Sequence, residues 1–169
     1  MILNDLKHAK ARRSNREGVP PLVVRSVADI DRIPLDHLVT AATVVDLSNR
    51  PQGSVVRRAD LAGTGVADIR GCILCTGWLD ERLAGGVGNP PVLEVGAAAY
   101  LLEGGVRTLA ADFPIVSEAG DLLLHNNCVL VYCVSNVGEL SGRIARLIAL
   151  PLKQENTFSA DARVIVIEE

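Results

Sequence analysis

Apolar positions along the chain fall into short runs punctuated by Gly, Pro and Asn. Residues 41–47 (AATVVDL) are β-branched in the middle and stop at the turn cluster 48–53 (SNRPQG), which predicts a strand. Residues 71–78 (GCILCTGW) form a continuous apolar run of the kind found in fully buried strands. From residue 92 to 103 the period changes: Leu93, Ala97, Tyr100 and Leu101 share one helical face, and Gly104-Gly105 ends the helix. Residues 106–110, 128–134, 144–152 and 162–167 read as further strands, with short helical pieces at 58–61 and 122–126. Strand, helix, strand over 71–110 predicts parallel pairing with a right-handed crossover, and ligands gather beyond the carboxyl ends of such strands.

The first part of the chain has a different texture. Residues 3–16 have helix-forming composition but only a thin apolar stripe, and residues 18–34 are interrupted by Pro20, Pro21 and Pro34. Proline breaks helices and central strands alike, so this stretch reads as an extended connection over the surface. Lys7, Lys10, Arg12, Arg13, Arg16 and Arg25 face only Asp5 and Glu17 within residues 1–25. The expected organisation is a basic N-terminal arm, 1–25, and a single domain, 26–169.

Composition narrows the class. A chain of 169 residues fits one domain and buries about 70% of the surface exposed when unfolded. Only Trp78, Phe113, Phe158, Tyr100 and Tyr132 are aromatic, 3% of the chain, so the core must be built from Val, Leu, Ile and Ala. That favours layered α/β packing. A net charge of −3 with both signs scattered lacks the field that nucleic-acid binding needs, and the basic arm has no aromatic residue on which a base could stack. No nucleic-acid partner is expected. Neither is a secretory leader or a membrane partner: Asn4 and Asp5 follow Met1-Ile2-Leu3 at once, and no apolar run reaches spanning length. The expected location is the cytoplasm.

Two local patterns invite stronger readings. Cys72-Ile-Leu-Cys75 has the spacing of half a zinc site, with Cys128 and Cys133 as the other half. Both pairs lie in strand-like runs, where an odd separation sends side chains to opposite faces. Buried free thiols are the better expectation. Gly85-Gly86-Val87-Gly88-Asn89-Pro90-Pro91 precedes a helix, yet it lacks the Lys-Ser/Thr of a P-loop and the dinucleotide fingerprint.

The chemistry on offer is concentrated between Val106 and Asn136. Asp112 follows one apolar run, His125 precedes another, and Cys133, Ser135 and Asn136 stand where that second run ends. Asp112 and His125 brought to neighbouring strand ends would form an acid/base or metal site. The expected catalytic residues are His125, Asp112 and Tyr132, and the expected substrate-binding residues are Trp78, Ser135 and Asn136. Each has a structural alternative: His125 as a packed helix-end residue, Asp112 as a turn or cap before Pro114, Trp78 as a core edge. His8 pairs at helical spacing with Asp5, and His37 in a polar turn reads as a surface residue.

The order of motifs resembles the cyclase family of metal-dependent hydrolases, which includes kynurenine-formamidase-type arylformamidases. The matching stretches are Ile33-Pro34-Leu35-Asp36-His37-Leu38 leading to Val44-Val45-Asp46-Leu47-Ser48, then Ile73-Leu74-Cys75-Thr76-Gly77-Trp78, then Leu102-Glu103-Gly104-Gly105-Val106-Arg107 to Asp112. Asn136-Val137-Gly138-Glu139-Leu140 and Ile148-Ala149-Leu150-Pro151-Leu152-Lys153 complete it, over residues 26–169. The resemblance implies a compact α/β single domain of the swivelling β/β/α type with a mixed sheet, assembled as a homo-oligomer. It also implies hydrolysis or ring closure of carbonyl compounds with Zn or Mn held by His-x-Gly-Thr-His-x-Asp-x-Pro-x-His. In register, that motif falls on residues 13–23, where Arg13, Val19 and Val23 have no lone pair for a metal, Glu17 stands alone, and the proline survives at Pro21. Downstream, His125 matches a family histidine, while Tyr132 or Cys133 stands where a Glu ligand is expected.

The metal site is therefore expected to be lost, leaving no cofactor. The expected function is metal-independent acid/base chemistry around His125 on a small carbonyl compound, with the compound as partner. The alternative is a non-catalytic cyclase-fold protein, a pseudoenzyme serving as a binding or assembly subunit. A third possibility is a composite site in which another chain supplies metal ligands to His125.

Overall fold

A computed structural model describes residues 2–5, 21–66, 69–140 and 144–168. The strands are β1 (Ile2–Asp5), β2 (Val23–Arg25), β3 (Val39–Asp46), β4 (Val55–Val56), β5 (Gly71–Cys75), β6 (Val92–Leu93), β7 (Thr108–Ala111), β8 (Val129–Tyr132), β9 (Ile144–Pro151) and β10 (Ser159–Glu168). The helices are α1 (Leu35–Leu38), α2 (Arg58–Leu61), α3 (Trp78–Leu83), α4 (Val95–Glu103) and α5 (Glu118–His125).

The main sheet has eight strands in the order β1-β10-β2-β8-β7-β5-β3-β9, and β9 also pairs with β10. That extra pairing closes every strand except β1 into a ring. β3, β5, β7 and β8 run parallel, as the strand, helix, strand pattern predicts, while β2, β9 and β10 join antiparallel. The mixed α/β single domain expected from the sequence is the architecture observed.

Closure divides the apolar residues into two cores. The inner one draws on every strand of the ring, through Val24, Val44, Ile73, Ala110, Val131, Leu147 and Val164 among others. Many of its members are small (Ala42, Ala145, Ala149, Ala160, Ala162), which suits the narrow interior of a closed sheet filled by its own side chains. The outer core packs Leu74, Leu109 and Leu130 from the opposite strand faces against Leu61 of α2, Ala97 and Leu101 of α4, and Leu123 of α5. Phe113 is fully buried in it. Gly71 opens β5 where a Cβ would lie 2.7 Å from the Ala41 carbonyl oxygen, so the close approach of β3 and β5 requires glycine there.

Several boundaries differ from expectation. The connection over residues 18–34 contains β2, a central strand between β10 and β8: Pro20 and Pro21 precede it and Pro34 follows, so no proline interrupts its ladder. Ile2–Asp5 is a strand paired with Val166 and its neighbours on β10; residues 6–20 of the proposed arm, His8 included, lie outside the described residues, and its last residues form β2. The run 71–78 stops as a strand at Cys75, because Gly77 takes a left-handed φ of 78° and Trp78 begins α3. The helical turn around 122–126 is the end of the longer α5, beginning at Glu118. His37 lies half-buried in α1.

Cys72 and Cys75 do face opposite ways, into the outer and inner cores. Cys128 and Cys133 both face the outer core, because Cys133 lies past the end of β8 with a left-handed φ of 65° and the strand alternation no longer applies. All four thiols are free and buried. Burial pushes those of Cys128 and Cys133 up to about 12, with the charge of Asp112 adding to the second.

Candidate functional site

The parallel strands end together at one pole of the ring, and the chain bends sharply after each. After β5, Thr76 and Gly77 turn into α3. After β7, Asp112 leads to Phe113, and after β8 come Cys133, Val134, Ser135 and Asn136. Val134 N–H donates to the Ala111 carbonyl at 3.1 Å, carrying the β7–β8 pairing past the strand ends. Cys133 and Asn136 both have left-handed backbones, at φ 65° and 61°. Asparagine tolerates this conformation; cysteine rarely adopts it, and such strain concentrates where a fold positions functional groups.

Asp112 is the centre of this pole. Its side chain is fully buried. Oδ2 accepts the Thr76 backbone N–H at 3.0 Å and Oδ1 accepts the Thr76 hydroxyl at 2.8 Å. The Thr76 oxygen in turn accepts Trp78 N–H at 3.3 Å. Burial pushes the Asp112 carboxyl up to about 6, against the downward pull of the hydrogen bonds from Thr76 and Gly77 and with a smaller upward push from Asp80. The result is a buried acid that titrates near neutrality, joined to the hydroxyl of half-buried Thr76.

The neighbouring groups are fixed as well. Asp80 Oδ1 accepts Asn136 N–H at 3.0 Å, tying α3 to the bend after β8. Tyr132 ends β8 opposite Ala111, half-buried against the outer core. Ser135 is buried. Trp78 is buried too, its Nε1 donating to Gly88 O at 3.0 Å, so the indole anchors the glycine-rich loop from within the core.

The structure thus brings Asp112, Tyr132, Ser135, Asn136 and Trp78 to one pole, but not His125. α5 starts near the carboxyl ends of the strands and runs back, leaving His125 shortly before Val129, which pairs with Thr108 at the amino end of β7. The length of a four-residue strand, about 13 Å, separates that level from Asp112. His125 is exposed, and its Nδ1–H donates to the Asp121 carbonyl at 2.7 Å within its own helix. The expected Asp112–His125 pairing is corrected: an eight-residue helix carries the imidazole to the other end of the sheet. Thr76 and Asp80, not anticipated as site residues from the sequence, act on Asp112 instead, the first by two hydrogen bonds and the second by its charge. Their signal was Thr76-Gly77 directly after a buried strand.

The described residues do not fit a metal ion. Among them no group of three or more His, Cys, Asp or Glu side chains could hold one. The carboxylates at this pole are occupied by turns: Asp46 Oδ1 accepts Ser48 N–H at 2.9 Å, Asp80 accepts Asn136, and Asp112 has Thr76 on both oxygens. Val23, at one expected ligand position, offers hydrocarbon; Arg13, Glu17 and Val19 lie outside the described residues. No helix among the described residues is long and apolar enough to cross a membrane.

Comparison with known proteins gives the same architecture. An isatin hydrolase bound to the product analogue thioisatinate superposes with a TM-score of 0.76 at 16% identity, over 87% of this chain and 71% of that one. Isatin hydrolase A from Labrenzia aggregata gives 0.76 at 17% identity, over 98% and 82%. A predicted metal-dependent hydrolase from Bacillus stearothermophilus gives 0.74 at 14% identity, over 99% and 87%. No curated protein matches by sequence. The Cyclase family model matches residues 9–117, from the arm through the Thr76 turn and Asp112, and by this match across more than half its length the chain belongs to the Cyclase family.

Proposed function

We propose that the chain acts on a small carbonyl compound at the Asp112 pole, opening or closing a ring by acid/base chemistry. The observation that carries this reading is the Asp112 carboxyl, pushed up to about 6 and hydrogen-bonded to the Thr76 hydroxyl. A group titrating there takes and returns a proton close to neutral pH, as general acid/base work requires. In ring opening, water adds to the carbonyl carbon, its proton passes through the Thr76 hydroxyl to the Asp112 carboxylate, and it returns to the departing ring nitrogen or oxygen. Ring closure is the reverse, with loss of water. Tyr132, Ser135 and Asn136 stand at the same pole, where the substrate oxygen would lie. Isatin, the cyclic amide from which the two hydrolases above take their names, is the first compound to test.

The test is turnover of isatin and simple lactams and lactones by the full chain between pH 5 and 8. The rate should rise as pH passes through about 6. Asp112→Asn should lower it by about 100-fold or more, while His125→Ala leaves it unchanged. A rate indifferent to Asp112→Asn would remove this assignment.

One observation favours a second reading. Asp112 is fully buried with Thr76 on both oxygens, which is also how a purely structural clamp between β5 and β7 would look. The chain would then be a non-catalytic binding or assembly subunit, forming a homo-oligomer or gripping a partner through its basic arm. In that case no compound of the panel is turned over, and Asp112→Asn changes stability alone.

A further inference from the structure

At the pole opposite Asp112, where the parallel strands begin, lies a cavity of about 530 Å3. That is within the size range of small-molecule sites. Ile33, Pro34 and Val129 give it apolar wall, and Arg32, His37 and Arg107 bring cationic or protonatable groups, with no carboxylate among its lining residues.

The cations are weakly engaged. Among the described residues the half-buried Arg107 guanidinium makes one hydrogen bond, from Nη1 to the Val106 carbonyl at 3.0 Å, and no ion pair. Arg32 meets Asp29 only at 3.8 Å, with its side chain 77% exposed. The carbonyls at the end of α5, whose dipole would repel an anion, are already taken: Asn126 N–H and side-chain amide donate to Leu122, and the Asn127 and Cys128 N–H groups donate to Leu124 and Leu123. A neighbouring cavity of about 400 Å3 shares His37 and Arg107 but is neutralised. There Arg70 is paired with Asp36 at 2.5 Å, and Glu103 with Arg58 at 3.4 Å.

We propose that the larger cavity binds a small organic anion, its carboxylate or phosphate on Arg107 and Arg32 and its apolar body against Ile33, Pro34 and Val129. The Arg107 guanidinium, which has no ion pair among the described residues, presents its planar donors to such a group, and partial burial strengthens the contact over one made in open water. This site is separate from the Asp112 pole and does not depend on chemistry there.

Calorimetric titration of the full chain with benzoate, phenyl phosphate and inorganic phosphate tests the proposal. Benzoate or phenyl phosphate should bind, and whichever binds more tightly identifies the head group. Arg107→Gln should weaken that binding by about tenfold or more. Arg32→Gln, at an exposed position, should weaken it less without affecting folding, and Arg70→Gln, the same charge loss one cavity away, should leave it unchanged. Three results would overturn the proposal: no binding of either organic anion, equal losses for Arg107→Gln and Arg70→Gln, or inorganic phosphate binding as well as phenyl phosphate. The last would show that the apolar wall contributes nothing.

Discussion

Asp112 makes the stability of the fold depend on pH. Its carboxyl titrates near 3.8 in the unfolded chain and about 6 in the native one, so between those values the native state holds more protons. Stability from this group is therefore greatest below pH 4, falls as pH rises from 4 to 6, and is level above. The change is on the order of 3 kcal/mol. Urea unfolding at pH 4 and 7 should show wild type losing stability over that interval relative to Asp112→Asn, which has no such proton; parallel curves for the two proteins would refute the assignment. The strand-end position of Asp112, Ser135 and Asn136 was legible in the sequence because apolar runs stop there. The partner of Asp112 was not. Thr76 lies 36 residues away and meets it only because β5 and β7 pair in register. His125 misled for the converse reason: nearness in sequence to β8 said nothing about the direction of the helix before it.

At the scale of elements, β2 has the largest effect for its size. Three residues long, it joins β10 to β8 and completes the ring. Val24 at its centre is fully buried in the inner core and stands between Ala160 and Val131. Val24→Asp places an unpaired carboxylate there and should cost about 3–5 kcal/mol or abolish cooperative unfolding. The neighbouring change Arg25→Gln, at a half-buried position of the same strand, should cost less, and denaturant midpoints of the two variants give the comparison. Apolar runs foretold β3, β5, β7, β8, β9 and β10 because each is long enough to show its burial. β2 is too short for periodicity, and its flanking prolines argued against any strand. The turn at Gly77 was hidden as well, since a buried strand and the first turn of a helix both present apolar residues.

For the molecule as a whole, closure leaves β7, β5 and β8 paired on both sides and packed on both faces. Their amides can exchange with solvent only when the ring opens. Hydrogen exchange should place Leu109, Ala110, Leu130 and Val131 in the slowest class, at the free energy of global unfolding, with β4 and β6 exchanging far sooner from their separate two-stranded sheet. A β7 amide exchanging as quickly as β4 would contradict this. The sequence displayed the mixed α/β class but not the ring, because closure depends on the pairing of β9 and β10 with strands made much earlier. β10 contacts β1, β2 and β9, and Ile2 meets Glu168 across one rung of the ladder. During synthesis, β2 and β9 must therefore emerge from the ribosome with bare edges and wait for residues 159–168. A translational pause before that point would leave two unprotected strand edges on the nascent chain, the exposure that chaperones exist to shield.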